Sequence, residues 1–591
     1  MRKTLTVLLA VCVVGSVFAG NKSKTQMHRI DKNRNIAVLG DETVLPQIAL
    51  KPKRAHNTNA IGPGTKLMDS EYDYGSNGGV LKNIVVYDDG TIAVGRMGAT
   101  VPATTADRGT FFSYFDGTTW SPMTKVEQVR RGWSSLAALA DGRSVTAAHI
   151  ATEVNVDAVK GFGIWTSTVT GNAAGGTGQW PRLTVDGKDN IIIVSTSAAA
   201  VNGIGNLKQV HVSRNAGTTW TNTWVYPDTS VSKPSFGADD QAVASRGDNV
   251  AFVVTDTFGD IHLWTSSDNA TTWTYQNLTN YPATIPAGTT ADYPAGSCDI
   301  IYDNTGKVHI FWETFLALPD SAGTGLDFFE STTSGIYHWS ETAGVTEVAD
   351  FSDIPGADQD SVVFAVAGAF DQHNVDGNVV CQPSAGIDAA GNLYLLFTSF
   401  RPNDLDADSL HYTDIYASGS NDGGRTWGAP VNVTDSPQSE DTWGSLATKV
   451  GDNLQFVYSS DGSTGNAIQG GGTAPTAYLY HSFPKANIPF GSTGVNDRPG
   501  AEVPSAFALH PAYPNPFNPS TQISFDLTKS VRVKLSVYDV NGKLVATLVN
   551  GKLEVGRHSI AWNANGQPSG VYFAKLEAEG LSQVQKMTLV K

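Results

Sequence analysis

Three observations predict an all-β chain built round a β-propeller. One strand–turn–strand pattern recurs seven times, helical periodicity is absent after the first 20 residues, and turn formers abound, with 60 Gly among 591 residues. The recurring pattern is an apolar run, a turn of Asp, Asn or Gly, and a second apolar run. Its copies start at Ile84, Leu136, Leu183, Val243, Ile300, Ala385 and Leu446. Turns such as Asp88-Asp89-Gly90, Asp141-Gly142 and Gly247-Asp248-Asn249 supply the positive φ of a tight hairpin. The flanking β-branched and aromatic residues suit half-buried strands. The copies lie roughly 45 to 85 residues apart, which fits four-stranded blades with loops of unequal length. Seven blades are expected, or six if the degenerate second copy is not one.

The chain opens with Met1-Arg2-Lys3, an apolar run from Leu5 to Val14, and Val17 and Ala19 at the −3 and −1 positions of a cleavage site before Gly20. These features predict a signal peptide over 1–19, too short in its apolar run for a membrane span. Residues 20–65 form an arm whose basic residues include Lys22, Lys24, Arg29, Lys32, Arg34, Lys51, Lys53 and Arg54. That composition reads as a solvated, flexible segment. The whole chain carries a net charge of −16, which argues against nucleic acid as a partner. With Cys12 inside the signal segment, Cys298 and Cys381 remain. They either pair in an oxidising compartment or stay as buried thiols, and neither lies in a zinc-ligand pattern.

Between the hairpins a second motif recurs. Ser420-Asn421-Asp422-Gly423-Gly424-Arg425-Thr426-Trp427 matches S-x-D-x-G-x-T-W in full. The copy from Ser213 to Trp220 has Asn215 in place of Asp, the copy from Ser266 to Trp273 keeps Asp268 but has Ala270 in place of Gly, and Asp116 to Trp120 is a further decayed copy. An acceptor side chain satisfies the amides of its own turn, and the Trp buries an apolar face against its blade. Here residues 66–484 resemble the sialidase-like propellers with Asp-box repeats. That resemblance implies a structural role for Asn215, Trp220, Asp268, Trp273, Asp422 and Trp427, on turns away from the binding face.

The same resemblance implies, for a true sialidase, three arginines on a carboxylate sugar, a Tyr–Glu nucleophile and an Asp acid/base. The first arginine of that family sits in Y/F-R-I-P just before the first hairpin, where this chain has Gly79-Val80-Leu81-Lys82. Val80 cannot make a bidentate pair with a carboxylate, so the expectation leans away from an enzyme. Arg96, Glu313 and Arg401 are the candidate ligand contacts that remain, each otherwise a strand-end polar residue. Two insertions, 316–334 and 401–414, are the places to look for function. In the second, Asp404, Asp406 and Asp408 alternate in a pattern able to offer oxygens to Ca²⁺, although no cofactor is required. The 371–378 loop is a further acidic stretch.

Residues 485–507 read as a Pro- and Gly-rich linker. Beyond it come six or seven short strand signals, which predict a small Ig-like sandwich over 508–591. The opening YPNPFNPST at 513–521, then VYDVNG at 537–542, SGVYF at 569–573 and the ending KMTLVK resemble the type A sorting domain of type IX secretion. The resemblance implies a translocon and a sorting peptidase as partners of 508–591. It also implies passage through the periplasm, with release or surface attachment at the outer membrane. The expected function is a non-catalytic propeller that binds a glycan or a surface protein; the alternative is a glycoside hydrolase or lyase with an unrecognised site. A carboxylate pair at the channel mouth would favour hydrolysis, an open aromatic channel binding, and a plugged channel a structural role.

Overall fold

The computed structural model describes residues 28–29, 61–491 and 507–590, apart from short internal stretches. The signal segment, most of the arm, the 371–378 loop, Asp408 and most of the linker lie outside the described residues. The chain divides into two compact units, Met1–Phe490 and Gly491–Lys591.

The first unit is a propeller of seven sheets, antiparallel but for the parallel pairing of Lys449–Val450 with Val380–Asp388 in blade 6. Blade 1 is Ile84–Val86, Ile92–Gly98, Gly109–Phe115 and Thr124–Lys125; blade 2 is Gly132–Ala138, Ser144–His149, Glu153–Asp157 and Trp165–Val169. Blade 3 runs from Gly178–Val185 to Thr221–Trp224, and blade 4 from Gln241–Arg246 to Thr274–Asn277. Blade 5 starts at Ala291–Tyr302, blade 6 at Val380–Asp388 and blade 7 at Glu440–Leu446. Each of the seven sequence repeats is the first hairpin of a blade. The degenerate second copy opens a complete four-stranded blade, so the count is seven. The outer strand of blade 7 is Thr65–Ser70, which pairs with Thr476–Pro484. Both ends of the propeller thus meet in one sheet.

The core is a ring of apolar clusters between neighbouring blades. Ile192, Val210, Phe252 and Trp264 fill the gap between blades 3 and 4, and Ile301, Phe311, Leu395 and Phe397 the gap between blades 5 and 6. Alternation along each strand puts one face toward each neighbour, so every blade is buried on both sides. Cys298 and Cys381 are buried thiols that form no disulfide among the described residues. The apolar packing runs past the expected boundary at 484: Ile488 joins the cluster between blades 6 and 7, and Phe490 bridges to Gly419.

The second unit is a sandwich. One sheet holds Ala508–Leu509, Ser520–Leu527 and Gly556–Asn563; the other holds Leu544–Leu553, Val531–Asp539, Gly570–Ala578 and Leu581–Leu589. Ile523, Phe525, Leu535, Val537, Trp562 and Leu576 form its core. The NPF motif closes this sandwich on itself. Asn515 donates to the Lys586 carbonyl at 2.8 Å and accepts from the Thr588 amide at 2.7 Å, and Phe517 pairs with Leu589. The motif therefore ties the start of the domain to its last strand.

Candidate functional site: the axis and the loop-bearing end

In an up-and-down blade the first-to-second and third-to-fourth turns share one end, and the second-to-third loops share the other. The Asp boxes are third-to-fourth turns of blades 3, 4 and 6, and their side chains serve their own backbone. Asp422 Oδ1 accepts from the Arg425 and Thr426 amides at 2.9 and 3.0 Å, and from the Ser420 hydroxyl at 2.8 Å. Asp268 repeats this with Thr271, Thr272 and Ser266, and hydrogen bonding holds its carboxyl well below the usual range. Asn215 accepts from the Thr219 amide at 2.9 Å. Asp116 serves the Thr118 and Thr119 amides, each at 2.8 Å. The indoles close on blade interiors: Trp427 lies edge-on to Phe311 and His338 of blade 5, Trp273 edge-on to Phe252, and Trp220 joins the cluster between blades 2 and 3.

The loop-bearing end carries the two insertions. Both are long hairpin extensions. Val308–Pro319 lengthens the second strand of blade 5 and at its end also pairs with the added strand Leu326–Glu330, in the same sheet. Leu393–Leu405 extends blade 6.

The axis between the blades is filled by the chain itself. Residues 71–83 pass from the outer strand of blade 7 to the inner strand of blade 1 and touch every blade. The Glu71 amide donates to Ala99 of blade 1, and the Leu136 amide of blade 2 donates to Lys82. Arg182 of blade 3 donates to the Gly79 carbonyl at 3.1 Å, and Ser76 donates to Asp239, at the entry to blade 4, at 2.8 Å. Lys82 reaches Asp299 of blade 5 at 2.5 Å and the Ala385 carbonyl of blade 6 at 3.1 Å. Ser445 of blade 7 donates to the Leu81 carbonyl at 2.8 Å and accepts from the Asn83 amide at 3.0 Å. Gly75 lets the strap lie on Trp443, whose ring a Cβ there would meet at 2.5 Å, and Gly79 lies on the Cys298 carbonyl, which a Cβ would meet at 2.4 Å.

The strap packs in an aromatic cluster of Tyr72, Tyr74, Val80, Leu81, Met97, Trp133, Trp180 and Trp443. Trp133, Trp180 and Trp443 hold the same place in three inner strands, at a β-bulge where each takes a positive φ of 49°, 47° and 59°. Gln382 takes that place in blade 6, at 60°. This set was not singled out from the sequence. Its signal is the repeated Trp-x-x-Leu of Trp133–Leu136, Trp180–Leu183 and Trp443–Leu446, with regular pairing resuming two residues after the Trp, at Ser135, Arg182 and Ser445.

The sequence candidates fall around this plug. Arg96 is 4% exposed; it donates to the Trp443 carbonyl at 3.2 Å and to Ser459 at 2.7 Å and lies over the Tyr478 ring. Burial lowers its pKa, against the pull of Tyr478. Val80 is a buried member of the aromatic cluster. Glu313, 1% exposed, accepts from the Gln382 amide at 3.1 Å and so joins blades 5 and 6. Arg401 sits between Asp414, Asp435 and Asp404 at 2.9, 2.5 and 3.3 Å. Burial lowers its pKa, but hydrogen bonds to Asp435 and Asp414 outweigh that and raise it. Asp404 also accepts from the Gln438 amide, and Asp406 from the Thr464 hydroxyl, each at 2.7 Å. These two carboxylates thus serve protein donors on different loops. Among the described residues, Glu347, Asp350 and Asp353 have ligand atoms within 4.8 Å of one another.

Two buried polar sites stand beside the axis. Lys208 is enclosed by Thr196, Gln241 and the Gly237 carbonyl at 2.7 to 2.8 Å, and burial lowers its pKa to about 7 against the pull of Asp240 and Asp239. Asp441, fully buried, accepts from the hydroxyls of Ser436, Ser439 and Ser460. The Ser436 hydroxyl also lies 3.0 Å from Asp414 Oδ1, between the two carboxylates, and its single proton can serve only one of them at a time. Burial and then the Asp414 charge push Asp441 up to about 7.

Comparison with known proteins bears on the two units unequally. No curated protein matches the chain. Among solved structures, a PL25 ulvan lyase is similar at 12% identity and a TM-score of 0.41, over 71% of this chain and 96% of its own. The α-L-arabinofuranosidase Arb93A from Fusarium graminearum is similar at 11% and 0.31, over 65% and 92%. The NanB sialidase from Streptococcus pneumoniae is similar at 9% and 0.32, over 64% and 71%. Likeness at that level says nothing of chemistry here. No helix among the described residues is long and apolar enough to cross a membrane. Residues 511–591 match the secretion system C-terminal sorting domain, and this tail marks the chain for secretion or attachment at the outer-membrane surface through the type IX system.

Proposed function

We propose that the exported propeller is a non-catalytic binding module that meets its ligand, a glycan or a protein, on the loops of one end and not on its axis. The observation that carries this reading is the strap. The strap runs between the inner strands of the blades, and the aromatic side chains around it are buried on it. The polar groups nearest the axis, Arg96, Arg182, Glu313 and Asp239, hold protein donors and acceptors rather than solvent. What the fold offers instead is the raised pair of hairpins on blades 5 and 6, carried by a closed and buttressed scaffold. The reading requires no cofactor. Ca²⁺ at the 404–408 loop would have to draw Asp404 from Arg401 and Asp406 from Thr464.

The test is a glycan-array screen of the propeller unit, residues 61–490, scored for retained binding and for loss of terminal sugars. Retention without loss supports the reading and names the ligand class. Loss of a terminal sugar overturns it in favour of a hydrolase or lyase. Silence on both counts, followed by no capture of a surface protein, leaves the sealed propeller as a structural component and overturns the binding reading.

A further inference from the structure

The insertion on blade 5, which the proposed function offers to the ligand, and the basic arm, which it does not use, meet in the structure. The strand Leu326–Glu330 pairs on one side with Val308–Pro319, in the register Leu316↔Phe329, Ala317↔Phe328, Leu318↔Asp327 and Pro319↔Leu326. On its other side lies His28–Arg29 of the arm, antiparallel, with His28↔Glu330 and Arg29↔Phe329. His28–Arg29 thus form the edge strand of the sheet that builds blade 5. An edge strand presents a row of backbone donors and acceptors that an extended peptide can complete.

Charge fits the same arrangement. The arm carries Lys22, Lys24, Arg29, Lys32 and Arg34 in a chain of net charge −16, and the added strand carries Asp327 and Glu330, with Asp320 at the hairpin turn. Backbone pairing sets direction and register, and opposite charge raises the local concentration of the arm near the edge.

We infer that Leu326–Glu330 is a strand-addition site for an extended basic peptide, and that its resident occupant is this chain's own arm around His28 and Arg29. The arm is then a tether.

The full chain carries the test. Directly opposed residues of an antiparallel pair have Cα atoms about 4.5 to 5.5 Å apart, inside the range that a disulfide spans. In the double variant His28→Cys with Glu330→Cys, mild oxidation should give an intramolecular cross-link in most molecules; His28→Cys with Glu347→Cys, on the far strand of the same blade, should give at least tenfold less. The native thiols Cys298 and Cys381 are buried and do not compete. In a second variant, Asp327→Lys with Glu330→Lys, amide exchange in a peptide covering residues 26–31 should quicken several-fold. Cross-links only between chains, equal cross-linking at Glu347→Cys, or exchange unchanged by charge reversal would each overturn the assignment.

Discussion

In an Asp-box turn the carboxylate serves partners two to four residues away, as Asp422 serves Ser420, Arg425 and Thr426. In the axial strap the partners are far off in sequence: Asn83 donates to Ser134 across 51 residues, Ser76 to Asp239 across 163, and Tyr478 to Tyr72 across 406. The first arrangement repeats and can decay copy by copy, as Asn215 and Ala270 show, because each turn looks after itself. The second occurs once and binds all seven blades together. Repetition in this chain advertises scaffold, and the unrepeated segment decides what the scaffold can do.

That difference sets the size of the response to substitution. Arg182 and Asp239 form an ion pair at 2.8 Å with side chains 5% and 0% exposed, and Arg182 also holds the strap at Gly79. Arg182→Ala strips the guanidinium from a buried carboxylate and frees the strap on one side. A loss of about 3 to 5 kcal/mol is expected in urea unfolding of the propeller unit. A loss below about 1 kcal/mol would mean that the strap does not bind the blades as one body.

The same contrast governs what was legible in the sequence. The seven hairpins were legible because their signals are local: a turn residue and flanking β-formers. The sorting tail was legible because motifs such as NPF and SGVYF recur in order, and Asn515 shows what one of them does. The strap was not. Residues 71–83 were informative only through Val80, as a place where an arginine is missing, since nothing local tells that Ser76, Gly79 and Lys82 each meet a different blade. Arg96 was a candidate contact for the same reason: a basic residue after a strand reads as surface until blade 7 is seen to close over it. The bulged Trp133, Trp180 and Trp443 carry a repeat signal, but a positive φ at tryptophan is set by the channel they enter and not by neighbours in sequence.

Asp441 sharpens the comparison from the side of charge, because its environment also joins distant parts of the chain. With its folded pKa pushed up to about 7 by burial and by Asp414, Asp441 holds its proton in the folded state over a range where the unfolded chain, at an ordinary value near 3.8, has lost it. The folded state then binds more protons, so this residue makes stability fall as pH rises from about 4 to 7 and adds no further slope above that. Asp441→Asn keeps an acceptor for Ser439 and Ser460 and removes the titration. Urea midpoints of the parent chain should decline across that window relative to the variant, with the two converging near pH 4. A variant whose midpoint follows the parent at every pH would assign the slope to another group.

The smallest effect is expected at the turns. Asp422→Ala removes the acceptor of two amides and of the Ser420 and Thr426 hydroxyls, yet the turn lies at the edge of the molecule, where water can replace most of what is lost. A cost of about 1 kcal/mol follows from the net worth of such bonds, read as a small shift of the urea midpoint. Because Asp422 and Arg182 share no partner and lie on different blades, the double variant should lose the sum of the two single costs within about 0.5 kcal/mol. Coupling well beyond that would join turn and strap into one cooperative network, and the division between self-sufficient turns and a single long-range strap would fail.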